Sequence, residues 1–266
     1  MLRLDVPLGD PSVPLLRQRR RLAQALATLD AAQWAMPSRC ADWSVQDVVA
    51  HLVGVNEFWS YSISSGLRRA PSRLLAAFDP VDTPPRLIEP LRDLGADEVL
   101  ARFVATTEAL ADVLAGIDDD GWALVAESPP GHVPIGLVVL HGLWDGWVHE
   151  RDILLPLGIE PVVKPDEVTA SLQYAAVLGP TLLATGGSTR CGELAVEATE
   201  PDVRFVVEAG PTVVLRDGAP SASAIRLRGP AVGLVEGLSY RGAPLDLPAD
   251  GRWLVDALGA AFEVDG

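Results

Sequence analysis

Apolar residues recur at helical spacing through most of the first 160 residues, and this periodicity limits the fold more than any other feature of the chain. It predicts four long helices, over residues 12–30, 45 to beyond 58, 96–117 and 134–158. Ser44 and Asp47 have the spacing of a capping box, which places the second helix start near Val45. Residues 65–90 are rich in Pro and Arg and predict a short helix within a long connection. Four long helices joined by connections of unequal length predict a bundle.

The pattern changes after residue 160. Residues 168–183 still have a helical period, but short apolar or alternating runs follow, separated by Gly, Pro and Asp: ELAVEAT, VRFVVEA, TVVLRD and ASAIRLR. Such runs predict an antiparallel sheet, with helices over residues 229–240 and 252–262 covering one face. We therefore predict a mixed fold: a four-helix bundle over residues 1–160 and a smaller α+β domain over residues 161–266.

Composition excludes several classes of function. Twenty-one basic and 36 acidic residues give a net charge of −15, which disfavours nucleic-acid binding because that binding depends on neutralising phosphates. The arginines at 17, 19, 20 and 21 are interpreted as a solvated helix face, with an anion site as the alternative. No GxGxxG or P-loop pattern supports a nucleotide cofactor. We expect small-molecule partners only.

The cellular setting is predicted from the cysteines and from the apolar runs. Cys40 and Cys191 form no CxxC pair, which fits a reducing compartment and argues against a thiolate zinc cluster. The N-terminus lacks an apolar core for export, and no later run is long enough to span a bilayer. We expect a cytoplasmic monomer without a membrane partner.

Three of the four histidines fall in two of the predicted helices. His51 lies in SVQDVVAHLVGV, and HGLWDGWVHERD contains His141, Asp145 and His149. Asp145 and His149 are four residues apart and share a helix face, so both can meet a histidine from another helix. Two imidazoles and one carboxylate leave coordination positions open, as in catalytic metal sites.

Each of these residues also has a structural interpretation. His51 lies among apolar residues, where a histidine often bonds only a backbone carbonyl, and an Asp and a His four apart often bond only each other. The fourth histidine, His132, lies in ESPPGHVP, which predicts a loop. Core packing is the first interpretation of five tryptophans and the mouth of a site the second, at positions 34, 43, 59, 144 and 147.

The segments WSVQDVVAHL and DGWVHERDI, in this order and at this separation, resemble the mycothiol-dependent maleylpyruvate isomerase family, whose N-terminal part is a DinB-like metal-binding bundle. The later stretch IRLRGPAVGLVEGLSYRG is similar to the family's smaller, sterol-carrier-like second domain. The resemblance spans nearly the whole chain.

This resemblance implies a set of site residues. His51, Asp145 and His149 take the places of the three zinc ligands, although the middle ligand of the family is usually Glu. His141 is an alternative ligand or part of the cavity wall. Arg241 matches the arginine that the family places over the active site. Two other arginines, Arg228 and Arg252, are alternatives for that role.

The resemblance also implies an activity. Zn²⁺, or another divalent metal, would activate the thiol of mycothiol for addition or S-transfer to a small electrophilic, carboxylate-bearing substrate, or for cis–trans isomerisation of the maleylpyruvate type. Arginine would hold the carboxylates. Two alternatives remain: a metal-free enzyme acting in a cavity between the domains, and a metal- or thiol-responsive regulator that binds a protein partner.

Overall fold

The computed structural model describes residues 2–7, 9–77 and 83–261. The chain forms two compact units, one over residues 10–163 and one over residues 164–266 together with residues 1–9. The predicted order, a helical N-terminal region followed by a mixed α/β region, is confirmed. No helix among the described residues is long and apolar enough to cross a membrane.

The helical unit contains the four predicted long helices: α1 (Ser12–Leu26), α3 (Val45–Leu67), α5 (Ala96–Leu114) and α7 (Ile135–Leu154). Shorter helices lie in the connections, α2 (Ala31–Trp34), α4 (Thr83–Ile88) and α6 (Asp119–Trp122), with 3-10 turns at Leu74–Ala77, Glu89–Leu91 and Leu155–Leu157. Both α1 and α3 pack against α5 and α7, which encloses the core between the four long helices.

The start of α3 is fixed by its capping box, as predicted. The Ser44 hydroxyl accepts a hydrogen bond from the Asp47 N–H at 3.2 Å, and the Asp47 carboxylate accepts one from the Ser44 N–H at 2.9 Å. These reciprocal bonds satisfy backbone donors that a helix start leaves unpaired. They set the register of the helix that carries His51.

The segment around His132 is a β-hairpin, so the prediction of a loop was wrong. Strands β2 (Val125–Ser128) and β3 (Gly131–Pro134) pair antiparallel, and the two prolines that suggested a loop occupy the turn. Gly66 in α3 allows a close approach, since a Cβ there would lie 2.6 Å from the Val125 carbonyl oxygen. The hairpin therefore packs directly on α3.

Two arginines of the run in α1 do not lie on a solvated face, which corrects the prediction for Arg19 and Arg21, whereas Arg20 is exposed. Arg19 is fully buried and donates hydrogen bonds to Asn56 Oδ1, Gln18 Oε1 and the Gly142 carbonyl at 2.8–3.1 Å. Arg21 donates two bonds to the buried carboxylate of Glu150, at 2.9 and 2.7 Å. Linear spacing could not distinguish a solvated arginine from one that enters the core through a gap on a neighbouring helix.

The C-terminal unit contains a five-stranded sheet in the order β1-β6-β5-β4-β7. Its strands are β1 (Leu2–Asp5), β4 (Gly192–Thr199), β5 (Val203–Ala209), β6 (Val213–Arg216) and β7 (Ile225–Pro230). The helices of this unit are α8 (Pro165–Thr185), α9 (Ala231–Leu238) and α10 (Ala257–Ala261), with a 3-10 turn at Arg252–Leu254. Helix α8 packs on β5 and β6, and α9 packs on β7 and β4. Residue 262, the predicted end of the last helix, lies outside the described residues.

Two features of this sheet differ from the prediction. Only β4, β5 and β6 are antiparallel neighbours; β7 pairs parallel with β4, and β1 pairs parallel with β6. Alternation of side chains assigns residues to the two faces of a strand but carries no information about the direction of the neighbouring strand. The four-residue strand β1, which the sequence analysis placed within residues 1–160, belongs to the sheet of the C-terminal unit.

The first prediction concerns Gly146 in α7. Replacing a helical glycine by alanine usually adds up to about 1 kcal/mol of stability. A Cβ at Gly146, however, would lie 1.3 Å from Nη1 of the buried Arg19. We expect Gly146→Ala to lower the free energy of unfolding by about 2–4 kcal/mol in urea titrations, since it displaces a buried charge from its partners.

Gly54 in α3 is the matched control, because a Cβ there meets nothing within 4 Å. Gly54→Ala should leave stability unchanged or slightly raised. Equal gains from both substitutions would show that Arg19 does not occupy the space beside Gly146.

The second prediction concerns the buried Glu127 of β2. Its carboxylate accepts hydrogen bonds from the Ser72 hydroxyl and from the backbone N–H groups of Leu74 and Leu75. Burial pulls the pKa of Glu127 upward, but these three bonds outweigh burial and hold the pKa below its ordinary value. We expect Glu127→Gln to lower the free energy of unfolding at pH 7 by about 1–3 kcal/mol.

A lowered folded-state pKa contributes stability that is present above the unfolded-state pKa and is lost as pH falls through the folded-state pKa. The difference between Glu127→Gln and the unsubstituted protein should therefore shrink below about pH 4.3. Glu108, exposed and paired with Arg20, is the control. Glu108→Gln should change stability by less than about 1 kcal/mol. A loss from Glu127→Gln that is constant with pH would contradict the assignment.

Candidate metal centre

Helices α3 and α7 bring the three predicted ligands together. His51 Nε2 lies 3.7 Å from Asp145 Oδ1, and His149 Nε2 lies 3.5 Å from the same oxygen. One donor atom from each residue falls within 4.8 Å of the other two. The side chains are only 13–15% exposed. A residue of α3 and two residues one turn apart on α7 thus form one buried cluster.

The donors fit a divalent cation. Metal–nitrogen and metal–oxygen bonds of about 2.0–2.2 Å in a tetrahedral arrangement place neighbouring donors roughly 3.3–3.5 Å apart, close to the 3.5 and 3.7 Å separations from Asp145 Oδ1. The three side chains offer two imidazole nitrogens and one carboxylate oxygen, the donor types that Zn²⁺ takes in catalytic sites. The set could hold a metal; the geometry does not identify which one.

Charge within the cluster is concentrated on Asp145 and His149. Burial alone would raise the pKa of Asp145, but His149 and His51 outweigh it and hold that pKa well below its ordinary value. Burial alone would lower the pKa of His149, but Asp145, Cys40 and Asp152 raise it well above its ordinary value. Burial lowers the pKa of His51 despite the neighbouring Asp145. His51 is therefore the neutral imidazole of the pair, and a cation would replace the proton on His149.

Arg19 lies behind the cluster, which the sequence did not reveal. Its Nη2 is 4.0 Å from Asp145 Oδ2, whereas the two histidines lie nearest to Oδ1. Burial lowers the pKa of Arg19 to about 10, against the opposing effects of Asp145 and Glu150, so the guanidinium stays charged at neutral pH. A positive charge this close weakens the attraction of the site for a cation.

Two further residues surround His149. Its Nδ1 lies 3.1 Å from Asp152 Oδ2 and 3.7 Å from Cys40 Sγ. Asp152 is three residues after His149, so helical spacing could have suggested this contact. Cys40 lies in the connection between α2 and α3, and its separation of 109 residues from His149 left no signal in the sequence.

His141 lies beside the cluster but belongs to neither donor group found among the described residues. It is buried, and its ring centroid lies 5.0 Å from that of Trp59 and 5.4 Å from that of Trp144. Burial lowers the pKa of His141 to about 4, so the ring is neutral. Of the five tryptophans considered above, four are buried and Trp43 is half-buried. The ring centroid of Trp43 lies 5.6 Å from that of His51.

The three candidate arginines all lie in the C-terminal unit. Arg241 follows α9 and is half-buried. Its backbone N–H donates a hydrogen bond to the Glu236 carbonyl at 2.8 Å. Arg228 is bonded to Glu197 on the surface, and Arg252 lies 3.7 Å from Asp256. Of the three, Arg241 is the least exposed.

Comparisons with known proteins agree with this architecture. The crystal structures of the mycothiol-dependent maleylpyruvate isomerase and of a histidine-to-alanine mutant of that enzyme match with TM-scores of 0.63 and 0.64 and with 15% and 14% identity. Each match covers 93% of this chain and 95% of the other. At this identity the likeness establishes the fold alone. No curated protein sequence matches the chain.

Residues 15–154 match the family described as "Mycothiol maleylpyruvate isomerase N-terminal domain". The match covers α1 from residue 15 onward, the other three long helices in full and all three residues of the cluster. Because it spans more than half of the sequence, this chain belongs to the mycothiol maleylpyruvate isomerase N-terminal domain family.

Proposed function

We propose that this protein is an enzyme that binds Zn²⁺, or another divalent cation, through His51, Asp145 and His149 and uses it to activate the thiol of mycothiol. The convergence of one donor atom from each of these side chains within 4.8 Å carries the proposal. Two histidines and one carboxylate are a usual ligand set for catalytic zinc, which retains a position for an exogenous ligand. The family supports mycothiol as the thiol.

The metal would supply one piece of chemistry: it favours the thiolate form of a bound thiol, which in solution has a pKa of roughly 8.5. The residues of the chain prepare the site for it. Asp152 accepts a hydrogen bond from His149 Nδ1 and leaves Nε2 directed at the ligand cluster. The buried Arg19 partly offsets the charge of Asp145, so the site gains positive charge when a cation binds and would attract an anionic sulfur.

For the reaction, we propose addition or S-transfer of the thiol to a small electrophile that carries a carboxylate. Cis–trans isomerisation of the maleylpyruvate type is the second form of the same chemistry, in which the thiol is released again. Arg241 is proposed to hold the carboxylate, for which a guanidinium is well shaped. The thiol form of both cysteines fits a reducing cytoplasm, and the net charge of −15 favours small-molecule partners over nucleic acid. We retain a monomer as the proposed state.

A metal-free enzyme is the second candidate. The observation that favours it is Arg19, whose positive charge 4.0 Å from Asp145 can neutralise that carboxylate without a metal. Asp145 is also one methylene shorter than the glutamate usual in the family. The two candidates differ in whether activity survives removal of the metal.

The third prediction is metal content. After loading with zinc and dialysis, elemental analysis should find about one zinc per chain, and a His51→Ala, His149→Ala double variant should lose it. His132→Ala is the matched control, because His132 lies on the hairpin and bonds the Ser72 carbonyl rather than the cluster. It should retain zinc. Absence of zinc from the loaded, unsubstituted protein would exclude the zinc mechanism.

The fourth prediction is activity. The zinc-loaded protein should consume mycothiol, or isomerise maleylpyruvate, when screened with electrophilic carboxylates. Arg241→Ala should raise KM for the carboxylate about 10- to 100-fold, the loss of one charge-assisted hydrogen-bonded contact, while zinc content stays constant. Arg252→Ala is the control and should leave KM unchanged. Full activity after complete chelation would establish the metal-free candidate instead.

A further inference from the structure

His149 has a second nitrogen that faces a different set of donors. Its Nε2 points to Asp145 and His51, whereas its Nδ1 lies 3.7 Å from Cys40 Sγ and 3.1 Å from Asp152 Oδ2. Cys40 Sγ lies 3.2 Å from the same Asp152 oxygen. These three atoms form a compact triangle on the opposite edge of the ring from the first cluster.

The triangle has the dimensions of a ligand set. Bond lengths of about 2.3 Å to sulfur and 2.0–2.2 Å to nitrogen and oxygen place donors around a tetrahedral cation roughly 3.3–3.6 Å apart. The three observed separations, 3.1, 3.2 and 3.7 Å, bracket that range. Zn²⁺, to which these bond lengths belong, would need shifts of only a few tenths of an ångström in the donor atoms, whereas the longer bonds of Cd²⁺ would require the donors to move farther apart.

Hydrogen bonds fix the connection that carries Cys40. The backbone N–H of Arg39 donates a hydrogen bond to the backbone carbonyl of Asp152 at 3.0 Å, which attaches the connection to the end of α7. The Cys40 N–H donates to Ser38 Oγ at 3.1 Å, and that hydroxyl donates to the Trp43 carbonyl at 2.8 Å. Arg39 Nε lies 3.7 Å from Asp152 Oδ1, the carboxylate oxygen outside the triangle. Oδ2 thus remains directed at Cys40 and His149.

A nucleophilic role for Cys40 does not fit this arrangement. In a Cys-His-Asp triad the imidazole bonds the cysteine through one nitrogen and the carboxylate through the other. Here Cys40 and Asp152 both face Nδ1, so His149 cannot relay a proton between them in that way. A metal ion instead requires donor atoms that face one common point, and Cys40 Sγ, His149 Nδ1 and Asp152 Oδ2 have that arrangement.

We propose that Cys40, His149 and Asp152 form a second metal site, selective for a thiophilic cation such as Cd²⁺, and alternative to the site formed by His51, Asp145 and His149. Thiolate is the ligand that soft cations prefer, whereas the first cluster offers only imidazole and carboxylate. On binding, the Cys40 thiol releases its proton to solvent as the sulfur–metal bond forms. Asp152 ligates through Oδ2.

The two sites compete for one imidazole, and a neutral ring can serve only one of them. A neutral imidazole has one nitrogen with a lone pair and one with a proton, so a cation on Nδ1 requires the proton on Nε2, and the reverse. A cation at the Cys40 site therefore removes one ligand from the first cluster. This last consequence rests on the proposed function: if the first cluster holds zinc, a thiophilic cation at the Cys40 site would displace it.

The test is a titration of the metal-free protein with Cd²⁺. Binding is monitored by the ultraviolet sulfur-to-cadmium charge-transfer absorption and measured by equilibrium dialysis. The unsubstituted protein and His51→Ala should both show the band, because His51 belongs only to the first cluster. Cys40→Ser should lose the band and bind Cd²⁺ at least tenfold more weakly. Cys191→Ser is the matched control, since Cys191 is the exposed cysteine of the other unit; it should retain both the band and the affinity.

Zinc binding distinguishes a failure of the Cys40 site from a failure of the first cluster. Cys40→Ser should still bind zinc through the first cluster, which also reports that the variant is folded; circular dichroism gives the same information if the first cluster binds no zinc. Cadmium added to the zinc-loaded protein should release zinc, and Cys40→Ser should reduce that release at least tenfold. A folded Cys40→Ser variant with unchanged cadmium affinity, or loss of the band in His51→Ala, would overturn the proposal.

Discussion

The burial of charged side chains along α7 is the constraint on which the helical unit depends. Glu150, Arg151 and Asp152 are almost completely buried on this helix. Unpaired charges are too costly to bury, so each needs a partner. Glu150 is bonded by Arg21 of α1, and Asp152 lies 3.7 Å from Arg39 in the connection before α3. The Arg151 guanidinium lies 3.5 Å from the centre of the Trp147 ring, on α7 itself. The pairings of Glu150 and Asp152 therefore attach α7 to α1 and to the connection before α3.

The same requirement builds the candidate metal centre. Gly146 of α7 leaves room for the buried Arg19, whose guanidinium occupies the space that a side chain there would fill and bonds the Gly142 carbonyl. Arg19 in turn lies behind Asp145, while Asp152 fixes His149 from the other side. The three candidate ligands are therefore held by groups that also stabilise the packing of the helices.

Helical periodicity and capping chemistry were sufficient to locate the long helices, because both are local properties of the sequence. The capping box of Ser44 and Asp47 located the start of α3, and the spacing of Asp145 and His149 placed both on one face of α7. For Arg19 and for strand β1, prediction failed because the decisive contact was distant in sequence. Arg19 enters the core through a gap on another helix, and strand β1 pairs with a strand more than 200 residues later.

Local patterns in the sequence were enough to locate the four long helices, the order of the two regions and the three side chains that meet at the candidate centre. The folded chain was needed to show which nitrogen of His149 faces which donors, that Cys40 approaches it, and that a buried arginine lies beside Asp145. Periodicity reports only which face of an element is apolar. The direction of an imidazole, and the charge that surrounds it, depend on side chains that other elements bring to the same place.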